Sequence, residues 1–210
     1  KFTRGTLSDV AALGWDRYSG VAFMQSMLAL LLMERNSLNE ALSEISEAIV
    51  LLETTDNRSY FGMALASRAQ ILFALGRCAE AEVDLESAVF DGMSNNLRRV
   101  VQKAALIRAG ELLLRGELDA AQSELDQMPA CEPSLPERYS ETAEMVASVR
   151  LRLQFERGEY EAVRTEAVSR LAQATRFGQR RRGLEFEALM LLSDYQLKPV
   201  PEALDKLKKL

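Results

Sequence analysis

The apolar positions of this chain fall on a pattern that returns about every 40 residues from Ala29 onward. A small residue stands at Ala29, Ala69 and Ala109. A break follows at Asn36, Gly76, Gly116, Gly158 and Lys198, and a second small position at Ala41, Ala81, Ala121, Val163 and Ala203. One step is irregular, the 42 residues from Gly116 to Gly158. Between these markers apolar residues are spaced by three and four, as in Ala69–Leu72 and Ala81–Leu85–Ala88, the period of a buried helical face. A fixed period of this size marks stacked units, each too small to bury its own apolar face.

Each unit reads as two antiparallel helices and a tight turn. Residues 61–75 form an uninterrupted helix-favouring run, Gly76 stops it, and a second run opens at Cys78-Ala79-Glu80-Ala81. Glycine suits the left-handed conformation that ends a helix. An acidic residue then enters the next first turn (Glu80, Asp119, Glu161, Glu202), favourable beside a positive helix N-terminus. Small residues at both alanine positions let the two axes approach closely. The pattern predicts helix pairs at 20–54, 58–91, 97–128, 137–176 and 180–210. The joints at 54–57, 91–96, 128–136 and 177–179 are polar or rich in glycine and proline. The third joint carries Pro129, Pro133 and Pro136 and takes up the two extra residues. The fold class expected is all-α, a right-handed α-solenoid of about five antiparallel helix pairs.

Residues 1–19 read as the end of a preceding repeat or a cap, with Leu7, Val10, Leu13 and Trp15 on the first pair. Residues 20–210 form the repeat domain. The chain starts at Lys1 rather than Met, and Leu204, Leu207 and Leu210 leave an apolar face at its other end. Both features suggest a piece of a longer protein.

Composition narrows the function. Hydrophobic residues make up 48% and charged residues 27%, enough for a continuous core under a polar surface. A net charge of −5 removes a broadly basic nucleic-acid footprint. The apolar run from Met27 to Met33 is far below the roughly 20 residues a membrane span needs. Cys78 and Cys131 lie in different units and give no disulfide framework, so a reducing cytoplasm is expected. The absence of histidine removes the commonest general base and metal ligand. Two distant cysteines cannot complete a zinc site, and Cys78 falls in a packing position equivalent to Leu38 and Leu118. No catalytic role, metal or cofactor is expected.

The sets Ala69…Leu72…Gly76…Ala81…Ala88 and Ala109…Leu112…Gly116-Glu117-Leu118-Asp119…Ala121 resemble the tetratricopeptide repeat. The period exceeds that repeat's standard unit of about 34 residues. At about 40 residues the pattern is similar to the sensor domain of the maltose-regulon activator family, the large ATP-dependent LuxR-type regulators. Segments 69–76 and 114–121 carry that likeness. The resemblance implies a solenoid that receives an inducer between an ATPase module and a DNA-binding module. No GxxxxGK[ST] phosphate loop occurs in this chain, so such modules would lie outside it.

Stacked repeats build extended binding surfaces. The first helix of each unit is expected to line the concave wall. The repeat register places Phe23, Ser26 and Leu30 there, then Met63, Gln70 and Phe73, and then Lys103, Leu106 and Leu113. Met145, Arg152 and Phe155 follow, and finally Glu185, Leu192 and Tyr195. Methionine and aromatic side chains adapt to helical peptides and other amphipathic ligands; the competing reading is that they pack against the neighbouring repeat. Arg176, Arg180, Arg181 and Arg182 form the densest charge feature, suited either to a phosphate or carboxylate or to a solvated turn. Arg98-Arg99 mark the matching joint before the third unit. The expected partners are a small effector, a protein or peptide in the groove, and flanking domains of the same chain. No direct nucleic-acid or membrane contact is expected. A regulatory sensor, a peptide-binding scaffold and self-association through repeat ends remain the three readings.

Overall fold

The computed structural model describes residues 19–130 and 140–199, together with 205, 207 and 208. Among them every regular element is an α-helix. The helices are α1 (Ser19–Glu34), α2 (Leu38–Glu53), α3 (Arg58–Ala74), α4 (Cys78–Ser94), α5 (Arg98–Leu114), α6 (Leu118–Gln127), α7 (Glu141–Glu156), α8 (Tyr160–Arg176) and α9 (Arg180–Leu197). The expected all-α fold with its sequential helix pairs is present: four pairs and the first helix of a fifth. Leu7, Val10, Leu13, Trp15, Cys131, Pro133, Pro136, Glu202, Ala203, Leu204 and Leu210 lie outside the described residues.

One turn ends most of these helices. The residue just past the helix adopts positive φ at Asn36 (59°), Gly76 (74°), Asn96 (54°), Gly116 (75°), Gly158 (80°) and Gly178 (66°). At each, two carbonyls left over by the helix are satisfied in the same way. Gly76 N–H donates to the Phe73 carbonyl at 2.9 Å and Arg77 N–H to that of Leu72 at 2.9 Å. Asn96 and Leu97 repeat this on Met93 and Gly92, and Gly178 and Gln179 on Thr175 and Ala174. This is the Schellman arrangement. Outside α6 and the joints at 54–57 and 128–140, helices of 16–18 residues alternate with three-residue turns, and the 40-residue repeat is two such half-steps.

Two breaks differ from expectation. Lys198 does not turn: it is extended (φ −147°, ψ 100°), because Pro199 follows and disfavours the helical region at the residue before it. Met128, before Pro129, is extended for the same reason (φ −65°, ψ 137°). The joint expected at 91–96 shrinks to residues 95–97, since α4 stays helical through Ser94. Gly92 breaks nothing. A Cβ there would meet Val101 Cγ2 at 2.9 Å, so this glycine permits close packing of α4 on α5.

The chain divides into two compact units, residues 1–107 and 108–210, with the boundary inside α5. In the first, α1 packs on α2, α2 on α3, α3 on α4, and α1 also reaches α3. In the second, α6 packs on α7, α7 on α8, α8 on α9, and α7 also reaches α9. Contact between successive first helices, as well as within hairpins, is the stacking of a helical-repeat array. Both alanine positions are sealed: Ala29, Ala69, Ala109, Ala41, Ala81 and Ala121 are fully buried. Ile45, Ala48, Leu85, Ala88 and Leu125 fill the hairpin interiors. Leu151 and Val163 take the alanine positions of the fourth pair, also buried.

Candidate functional site

The clearest convergence lies in the first unit, on its first helices. Phe23 of α1, Met63 of α3 and Lys103 of α5 share one register position, 13 residues before their respective breaks. Packing ties the three helices together. Phe23 stacks on Tyr60 with ring centroids 5.0 Å apart, and Lys103 Nζ donates to Ser67 Oγ at 2.6 Å and to the Met63 carbonyl at 3.4 Å. Ser67 is buried, and its hydroxyl in turn donates to the Met63 carbonyl at 2.9 Å. Phe23 is 41% exposed and Met27, one turn further along α1, is 38% exposed. Phe23 and Met27 thus form an accessible aromatic and methionine pair on α1, while the Lys103 ammonium is tied to α3 at Met63 and Ser67.

Charge is segregated by helix in this unit. Apart from Glu34, α1, α3 and residues 98–107 of α5 carry only cations: Arg58, Arg68, Arg98, Arg99 and Lys103. Helices α2 and α4 carry nine acidic residues and no cation. Two of the five cations are spent inside the fold. Arg68 grips the buried Asp84 of α4 with two bonds of 2.7 Å, and this hydrogen bond raises its pKa above the ordinary guanidinium value. Arg58 holds Asp91 near the other end of α4. Lys103 has no carboxylate partner among the described residues, and burial pushes its amine down to about 8.

The second unit uses the same register differently. Glu185 of α9 occupies the position of Lys103 and accepts from Ser148 Oγ of α7 at 3.1 Å, so both residues reach back to a serine on the preceding first helix. Arg182 bridges Glu185 (2.6 Å) and Glu141 (3.0 Å). Burial opposes the Arg182 charge, but the two carboxylates more than offset it and its pKa is raised. Glu144, 1% exposed, receives Arg170 at 3.0 Å on one oxygen, and its other oxygen has no hydrogen-bond partner among the described residues.

The remaining sequence candidates scatter. Gln70 and Phe73 are half-buried on α3. Leu106, 4% exposed, is core rather than surface. Phe155 is half-buried edge-on against Tyr160, with centroids 5.1 Å apart. Arg152 and Tyr195 are exposed. The arginine cluster does not converge, since successive helical residues diverge by about 100°. Arg182 and Arg181 engage Glu185, Arg176 lies over the Phe177 ring, and Arg180 alone lines an open cleft of about 620 Å3 with Leu171, Thr175, Gly183 and Leu184. Among the described residues no cluster of metal-ligating side chains occurs, and no helix is long and apolar enough to cross a membrane. Cys78 is half-buried with a free thiol.

Sequence reading reaches Phe23, Met63 and Lys103 through the repeat register. It misses Ser67, Tyr60 and the charge segregation. The visible signal for the last is the alternation of acid-poor and cation-free helices in residues 19–107, which a chain-wide net charge averages away.

No family model matches this chain, and comparison with curated proteins finds no match either.

Proposed function

We propose that this chain is a binding module, the effector-receiving part of a bacterial transcription regulator, and that the first-helix face of its first unit receives the ligand. One observation carries the reading. Phe23, Met63 and Lys103 stand at one register position on three successive first helices, and the last is a cation without a counter-charge among the described residues. An array of packed helices has no need of such a residue for stability, because a desolvated charge costs free energy. The regulator assignment rests further on the likeness of segments 69–76 and 114–121 to the sensor domain of that family. Effector binding would act by favouring one arrangement of stacked hairpins over another.

The test is thermal stabilisation across sugars, phenolics, nucleotides and peptides, run on the unsubstituted chain and on Phe23→Ala and Lys103→Met. An effector raises the melting temperature by several degrees, at about 100 times its Kd, in the unsubstituted chain only. A flat panel at millimolar concentrations ends the small-molecule reading.

The exposed apolar positions of α1 favour a second reading, a scaffold for an amphipathic peptide. Phe23, Met27 and Leu31, all exposed, follow one another at spacings of four along that helix. Capture of a peptide partner that is lost with Phe23→Ala, with no small-molecule response, would support it.

A further inference from the structure

The geometry points to a more specific occupant: we infer that Lys103 is the anchor for the carboxylate of a small monoanionic ligand whose apolar body lies along Phe23, Met27 and Met63. This rests on the proposed binding face and names the chemistry of its ligand.

Hydrogen-bond accounting comes first. An ammonium has three donors. Lys103 gives one to Ser67 Oγ and one, long at 3.4 Å, to the Met63 carbonyl, which also accepts from Ser67. Among the described residues one donor is unused and a second is weakly used, so an incoming oxygen finds an oriented partner.

Charge fixes the valence of the ligand. Of the cations on these first helices, Arg58 and Arg68 are neutralised by Asp91 and Asp84. Arg98 and Arg99 are exposed at the start of α5. Lys103 is the half-buried one, and no acid on α3 or on residues 98–107 of α5 stands near to balance it. A single point charge matches a monoanion. A phosphate, with nearly two charges and three equivalent oxygens, is better served by paired guanidinium forks, and the forks here are already taken. The fixed Ser67–Lys103 bond holds the ammonium in place, so little side-chain freedom is lost on binding.

The apolar part follows from Phe23 and Met63 at the same register and Met27 one turn beyond Phe23. The Phe23 ring is braced by Tyr60 yet 41% exposed, and Met27 and Met63 are flexible thioethers that adapt to an aliphatic or aromatic body.

Two probes with one body separate the anchor from the face: 4-phenylbutyrate and 4-phenylbutan-1-ol, titrated by calorimetry into the full chain. The carboxylate is expected to bind about tenfold or more tightly than the alcohol, the ratio expected of a charge-assisted hydrogen bond. Lys103→Met, checked for helicity by circular dichroism, removes the preference, so that the two probes bind alike. Phe23→Ala weakens both probes. Equal affinities in the unsubstituted chain, or a preference that survives Lys103→Met, overturns the anchor and leaves the binding face intact. Binding of neither probe at about 10 mM, some 3 kcal/mol of free energy, also overturns the anchor. The face is then decided by the effector panel and the peptide capture described above.

Discussion

Gly62 and Val100 meet so closely that no other residue fits at position 62 without movement: a Cβ there would lie 2.6 Å from Val100 Cγ1. Val100 is fully buried and also lies against Gly92, where a Cβ would meet its Cβ and Cγ1 at 3.3 Å. Valine is stiff at χ1 and cannot swing clear. Gly62→Ala should therefore destabilise the first unit by about 1–2 kcal/mol, overpacking outweighing the gain in helix propensity. Gly110→Ala is the control. Nothing lies within 4 Å of its added Cβ, so the same exchange should stabilise by about 0.5–1 kcal/mol. Urea unfolding of both variants, with Val100→Ala added to Gly62→Ala as the rescue, decides the matter. Equal effects at the two glycines would refute the close approach.

A second prediction concerns the ion pairs. Asp84 is 5% exposed and accepts both bonds of the Arg68 fork. Asp84→Ala leaves a guanidinium half-buried and unmatched, and should cost about 3 kcal/mol. The Arg77–Glu80 pair is equally short at 2.6 Å but lies on the surface. Glu80→Ala should leave the unfolding midpoint where it was. A midpoint shift as large as that of Asp84→Ala would show that distance, rather than burial, governs these pairs.

The left-handed stops make a third. Gly76 sits at φ 74°, and an alanine there bears the left-handed penalty of about 1–2 kcal/mol. Gly76→Ala should lower stability by about that amount, although its Cβ would enter open space. Asn96 holds the same conformation with a side chain, so Asn96→Gly should be neutral or slightly stabilising. A clear loss at Gly76 and no loss at Asn96, read by thermal melting, is the expected result.

Lys103 gives the fourth, in pH. Its amine is lowered in the folded chain to about 8 from a usual 10.5, so the unfolded chain holds more protons between those values. The burden of burying the charge is full below pH 8 and disappears as pH rises from about 8 to 10.5. Lys103→Met should therefore be more stable than the unsubstituted chain at pH 7, on the order of 1 kcal/mol once the lost hydrogen bonds are counted. That advantage should shrink on going to pH 10. Denaturant titrations of the two chains at pH 7 and pH 10 check it, and a difference that does not change with pH would refute the assignment.

Much of this architecture is legible in the sequence because helix stops and small packing positions are local signals. Gly76, Gly116 and Gly158 announce left-handed caps, and the buried alanines announce close axes. Asn96 conceals the same cap inside a polar run, so the half-step period of 20 residues is hidden behind the full one. Lys198 keeps the spacing but not the geometry, since Pro199 overrides it. The site divides along the same line. Register alone aligns Phe23, Met63 and Lys103. Several of the partners that decide what each charge does lie 16 to 41 residues away: Asp84 for Arg68, Ser67 for Lys103, and Glu141 beside the nearby Glu185 for Arg182. Pairing over such separations follows from how hairpins stack, which spacing alone does not reveal.

The recurrent Schellman turns have a consequence for how the chain comes to be folded. Each is closed by bonds between residues at most five apart, so each helix end that carries one is specified by its own immediate neighbourhood. Hairpins built this way need few distant contacts, which favours rapid folding. A ribosome releasing the chain at about 5–20 residues per second would free one complete hairpin every few seconds. Each new pair could then settle on its predecessor while the remainder was still being made.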